Sequence, residues 1–86
     1  MIPKDTNVLI THGPPFSILD FCSGGNVGCQ DLLLAVRGLA DLQCHIFGHI
    51  HESYGEEARG NLKFVNASTC NGKYRPINKP IVIDVY

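Results

Sequence analysis

The sequence predicts an α/β fold, a βαβ unit followed by a hairpin and a final strand, and three observations carry that reading. Asn7-Val8-Leu9-Ile10-Thr11-His12 is a continuous aliphatic and β-branched run closed by Gly13-Pro14-Pro15. That is the pattern of a buried strand, ended by prolines that have no amide donor for a ladder. Over residues 30–42, Leu32, Ala35, Val36, Leu39 and Ala40 recur at i, i+3, i+4 spacing, which predicts a helix. Cys44-His45-Ile46-Phe47-Gly48-His49 reads as a second buried strand. Strand, helix and strand in so short a span imply parallel strands with a right-handed crossover.

The remaining elements follow in order. Residues 13–29 read as a long loop containing Ser23-Gly24-Gly25-Asn26-Val27-Gly28, and loops of that length are often functional. Leu33 and Leu34 widen the apolar surface of the helix, and Gly38 weakens it by about 1 kcal/mol relative to alanine. Gly60-Asn61 separates two extended arms, 54–59 and 62–69, and predicts a hairpin turn. Asn71-Gly72 marks another turn, Pro76 and Pro80 bound a loop, and residues 81–85 predict a final strand.

Eighty-six residues, 1–86, make one small domain at most, or a piece of one, with one modest core as the ceiling. Apolar residues are 44% and the net charge is −1, which excludes a disordered tail. Seven Lys plus Arg against eight Asp plus Glu leave no electrostatic footprint for dedicated nucleic-acid binding. No apolar run approaches the roughly 20 residues that span a bilayer. Met1-Ile2-Pro3-Lys4-Asp5 lacks the features of a secretory signal, and Cys22, Cys29, Cys44 and Cys70 form no C-x-x-C pair. Free thiols in a reducing, cytoplasmic setting are expected. Asn66-Ala67-Ser68 fits a glycosylation sequon that such a chain would never have used.

The chemistry gathers at the histidines. His12 ends the first strand, while His49 and His51 surround the end of the second. In extended chain, residues two apart share a face, so His49 and His51 are expected to point one way. Ligands of open α/β sheets collect at the carboxyl ends of strands, where three imidazoles suit zinc, manganese or iron. His45 shares the parity of His49 but stands near the strand start, and reads as structural. Cys22, Cys29 and Cys44 are candidate soft ligands beside the histidines, with packing the default for Cys44. Lys63, Lys73, Arg75 and Lys79 form an acid-free stretch able to attract phosphate. Phe16, Phe21 and Tyr54 are packing residues or, alternatively, surfaces for a nucleobase.

Thr11-His12-Gly13-Pro14-Pro15 and Gly48-His49-Ile50-His51-Glu52 resemble the last two motifs of the calcineurin-like metallophosphoesterases. Val8-Leu9-Ile10, Asn66-Ala67-Ser68 and Pro80-Ile81-Val82 extend the resemblance toward the metallophosphoesterase-domain-containing subgroup. The resemblance implies the C-terminal part of a β-sandwich flanked by helices and hydrolysis of phosphate esters, including cyclic nucleotides. It implies a dinuclear site of manganese, iron or zinc, the ions roughly 3.5–4 Å apart. By resemblance, His12 and His49 would ligate one metal and His51 the other, with Gly13 and Gly48 as substrate-side candidates. Gly48 would let backbone approach the site closely. Binding needs neutral imidazoles, so metal affinity is expected to fall below about pH 6.5.

The family's earlier motifs, D-x-H, G-D and G-N-H followed by an acid, are absent from the 86 residues. Two close divalent cations need an anionic bridge that three neutral imidazoles cannot provide. The chain alone is therefore expected to hold at most one metal and to turn over phosphodiesters poorly. The alternatives are a truncated, non-catalytic half-domain that self-associates or binds a partner through uncovered surfaces, and a small structural zinc module.

Overall fold

The computed structural model describes residues 2–83. Its main sheet is mixed and four-stranded. It contains β1 (Val8–Ile10), β4 (Cys44–Phe47), β6 (Leu62–Asn66) and β5 (Gly55–Arg59), in that spatial order. Two further short strands, β2 (Phe21–Cys22) and β3 (Gly25–Asn26), form a separate hairpin, and the one helix is α1 (Gln30–Arg37). The βαβ reading holds: β1 and β4 are parallel, with Leu9 opposite His45. β6 lies parallel to β4 on its other side, with His45 opposite Phe64 and Phe47 opposite Asn66. The expected β5–β6 hairpin is present, with Arg59 opposite Leu62 across Gly60-Asn61. Gly60 takes φ 61, the positive value that a type II′ turn demands at its first central position.

Strand alternation puts Leu9, His45, Phe47, Phe64 and Asn66 on one face. There Phe47 and Phe64 join Val36, Leu39, Leu42 and Ile18 in the apolar cluster, with Leu9, Leu32 and Leu33 packed against it. Hydrophobic burial thus welds α1 and the loop that carries Ile18 onto this side of the sheet.

Four sequence expectations change. The helix stops at Arg37 rather than running through residue 42, because Gly38 caps it with its N–H on Ala35 O and Val36 O. Leu39 and Leu42 keep their burial by turns, Leu39 N–H to Val36 O and Leu42 N–H to Leu39 O, so the apolar spacing outlasts the helix. The loop of 13–29 is not structureless. Its Ser23-Gly24 tip has φ 50 and 87, the two positive values of a type I′ turn, and it closes β2 on β3. Both site strands are shorter than the 7–12 and 44–49 expected from their apolar runs. Residues 81–83 of the expected final strand are not in a strand, and residues 84–85 lie outside the described residues. Among the described residues, no helix is long and apolar enough to cross a membrane.

Candidate metal site at the strand ends

The chain stays zipped beyond the formal ends of β1 and β4. Thr11 N–H donates to Ile46 O at 3.0 Å, and Gly48 N–H donates to His12 O at 3.1 Å. These bonds bring His12 and His49 together above the sheet, their ring centroids 4.5 Å apart and their planes inclined by 38°. Both residues are exposed, so the rings are open to a ligand from solvent.

His49 adopts φ 71, and Ile50 N–H donates to Gly48 O at 2.8 Å. The two facts define a γ-turn of the rare positive-φ kind with a bulky residue at its centre. Left-handed backbone costs a residue with a side chain about 1–2 kcal/mol. Such strain persists only where surrounding contacts overdetermine the geometry.

The turn corrects the extended-chain argument for His49 and His51. His51 begins a short 3-10 turn, His51–Ser53. Its ring meets Tyr74 edge-on, with centroids 5.2 Å apart. His49 stands between two cavities. One, of about 250 Å³, is shared with His51, Cys22, Glu52, Gly72 and Tyr74. The other, of about 310 Å³, is lined among others by Thr11, Gly13, Pro14, Val27 and Gly28. Among the described residues, no three His, Cys, Asp or Glu side chains converge into a group able to hold a metal ion.

Beneath the pair lie buried polar groups that composition did not flag. His45 is fully buried, and its Nε2 lies 2.9 Å from Thr11 Oγ1. Thr11 Oγ1 donates to Gly13 O at 2.8 Å, so its lone pair is left to accept from His45 Nε2–H. This assigns the Nε2–H tautomer, and Nδ1 is buried with no hydrogen-bond partner among the described residues. Phe47 and Phe64 pack edge-on against the ring, and burial pushes its pKa down to about 4. His45 is therefore a neutral core histidine tied to the backbone on both sides of His12.

Asn66, also fully buried, explains the sequon as architecture. Its Nδ2 donates to Ile50 O at 2.8 Å and to Leu19 O at 3.1 Å. Its Oδ1 accepts from Ser68 Oγ at 2.6 Å and Ser68 N–H at 3.2 Å. Asp20, 1% exposed, accepts from Ser17 N–H and Gly28 N–H through Oδ2, both at 2.8 Å.

The expectation for Gly48 is also revised. A Cβ there would meet Ser68 Oγ at 3.6 Å, an ordinary contact, and one at Gly13 would meet His49 Cδ2 at 3.9 Å. The glycine that close packing requires is Gly28, whose Cβ would fall 2.3 Å from Pro15 O. The thiols have other duties: Cys29 Sγ accepts Leu32 N–H as the N-cap of α1, and Cys22 Sγ donates to Glu52 at 3.1 Å. Burial pushes the Cys44 thiol pKa up, against thiolate formation. Of the aromatic candidates, Phe21 is 58% exposed, whereas the Tyr54 hydroxyl donates to Lys79 O. Lys63 lies 3.9 Å from the Glu56 carboxylate.

Two solvent-open imidazoles at this separation offer two nitrogen donors on one side of the strand ends. They make a partial donor set, to which anionic ligands would have to be added. No family model matches the chain. It is 47% identical to human metallophosphoesterase domain-containing protein 1 over 87 aligned residues, covering 99% of this chain and 27% of that protein. The mouse protein of the same name matches equally. A UPF0046 protein of Caenorhabditis elegans is 46% identical over 81 residues, covering 94% of the chain and 28% of its own length. The chain is homologous to part of the metallophosphoesterase domain-containing proteins. It spans little more than a quarter of these relatives, and the resemblance read from Thr11–Pro15 and Gly48–Glu52 is a true one.

Proposed function

We propose that this chain forms one end of a metal-dependent phosphoesterase site. His12 and His49 would hold one divalent ion between them, and His51 would serve the second ion of the complete domain. The observation that supports this most is the His12–His49 pair, 4.5 Å apart at the carboxyl ends of adjacent parallel strands. A bound ion there would supply Lewis-acid stabilisation of a phosphoryl oxygen. The chain's own residues bind and orient. His12 and His49 act as neutral imidazole donors, and the His45–Thr11–Gly13 bonds steady the backbone that carries His12. Phosphodiesters, cyclic nucleotides among them, are the substrates proposed for the complete protein. Four free thiols accord with a reducing, cytoplasmic setting.

Zinc and manganese titrations of the 86-residue chain test the pair directly. One equivalent should bind, and His12→Ala or His49→Ala should abolish it; absence of saturable binding would remove the reading. Turnover of a chromogenic phosphodiester should be negligible in the isolated chain. Rapid manganese-dependent turnover, lost in His49→Ala, would contradict the proposed half-site. A second reading, association through an uncovered surface, is favoured by Ile10 and Leu34, which are 73% and 65% exposed. Light scattering across a concentration series tests it, and a strictly monomeric chain would exclude self-association.

A further inference from the structure

The His49 turn is held from two sides. On one, Gly48 N–H donates to His12 O at 3.1 Å. On the other, the fully buried Asn66 donates through Nδ2 to Ile50 O at 2.8 Å, immediately after the strained residue. The same Nδ2 donates to Leu19 O at 3.1 Å, and Leu19 is itself left-handed, at φ 49. Ser68 fills Oδ1 twice, which fixes the amide orientation and leaves both Nδ2 hydrogens for the two carbonyls. β6 carries Asn66 opposite Phe47, so the amide is anchored by the sheet rather than by a loop.

We propose that Asn66 is a positioning residue for the His12–His49 pair. It holds His49 in its left-handed turn through the Ile50 carbonyl and so sets the separation of the two rings. The inference rests on His12 and His49 being metal ligands only where affinity is concerned; the positioning itself is separately measurable. Partners that orient metal ligands typically change metal affinity about 10–100-fold when removed.

The test is nuclear magnetic resonance of the 86-residue chain, with zinc titration alongside. The unaltered chain should show a cross-relaxation peak between the His12 and His49 rings. Asn66→Ala should lose that peak and bind zinc about 10–100-fold more weakly. Val36→Ala truncates the core within α1 and touches none of these bonds; it should keep the peak. An Asn66→Ala chain that retains both the peak and the affinity overturns the proposal, as does loss of the peak in Val36→Ala. An unaltered chain that shows the peak, loses it in Asn66→Ala and binds no zinc would sink the ligand reading and leave the positioning role standing. If Asn66→Ala does not fold, hydrogen exchange in the unaltered chain decides. The Asn66 side-chain amide should be among the slowest to exchange; exchange as fast as that of the exposed Asn26 and Asn61 amides overturns the proposal.

Discussion

The two faces of the sheet are finished unequally. On the face of Leu9, His45, Phe47, Phe64 and Asn66, α1 and the Ile18 loop complete a closed core, where Phe47 and Phe64 are 2% and 3% exposed. The other face grades from Val65, 2% exposed on β6, to Ile10, 73% exposed on β1. β1 reads as a strand meant for burial on both sides, since its apolar residues do not alternate. The described residues cover it on one. The difference teaches that the closed face holds the fold, while the open face is where any partner of this sheet would gain most from contact.

The largest effect should come from the closed face. Phe64→Ala should lower stability by about 3–5 kcal/mol in urea unfolding, through lost burial and a cavity. A loss below 1 kcal/mol would mean that the core is loosely packed. Next comes acidification, acting through His45. Burial holds its native pKa at about 4, below the ordinary imidazole value of 6.5, so the unfolded chain binds the extra proton. The neutral, buried form is therefore secure above about pH 6.5, and stability should fall as the pH drops from there toward 4, by about 2–3 kcal/mol in all. Unfolding curves at stepped pH for the native chain and His45→Gln measure it; equal slopes would contradict the assignment.

At the loop above the sheet, His49→Gly should raise stability by about 1 kcal/mol by releasing the left-handed strain, while abolishing zinc binding. No gain in thermal midpoint would mean that the φ 71 turn carries little strain. The smallest effect belongs to the open face. Ile10→Ser should stay within about 0.5 kcal/mol, as expected of exposed positions. A cost approaching that of Phe64→Ala would break the comparison, because it would mean that another surface covers Ile10 in solution.

Much of this was legible in the residues. Continuous apolar runs marked β1 and β4, a period of 3.6 marked α1, and Gly60-Asn61 between two extended arms marked the β5–β6 hairpin. His12 and His49 were legible because their motifs stand just past two apolar runs, in a chain whose similarity to its relatives extends over 99% of its length. Helix length was not, since Leu39 and Leu42 are buried by turns that imitate helical spacing. Nor was the polar scaffold: Asn66 and Asp20 look like surface residues in a sequence, and only their bonds to distant backbone justify their burial. Gly28 could have been suspected from its place at the loop base, but its need for space comes from Pro15, thirteen positions away.

Local sequence by itself determined which segments of the main sheet extend, where the helix begins, and which residue types stand at the ends of the strands. Those choices follow from propensity and apolar period, which act over a few residues. Tertiary structure alone decided that His49 turns left-handed toward His12, that His51 turns away to Tyr74, and that His45 is a buried neutral base. These depend on hydrogen bonds and burial between segments remote in the chain, and no local pattern encodes the distance between two rings.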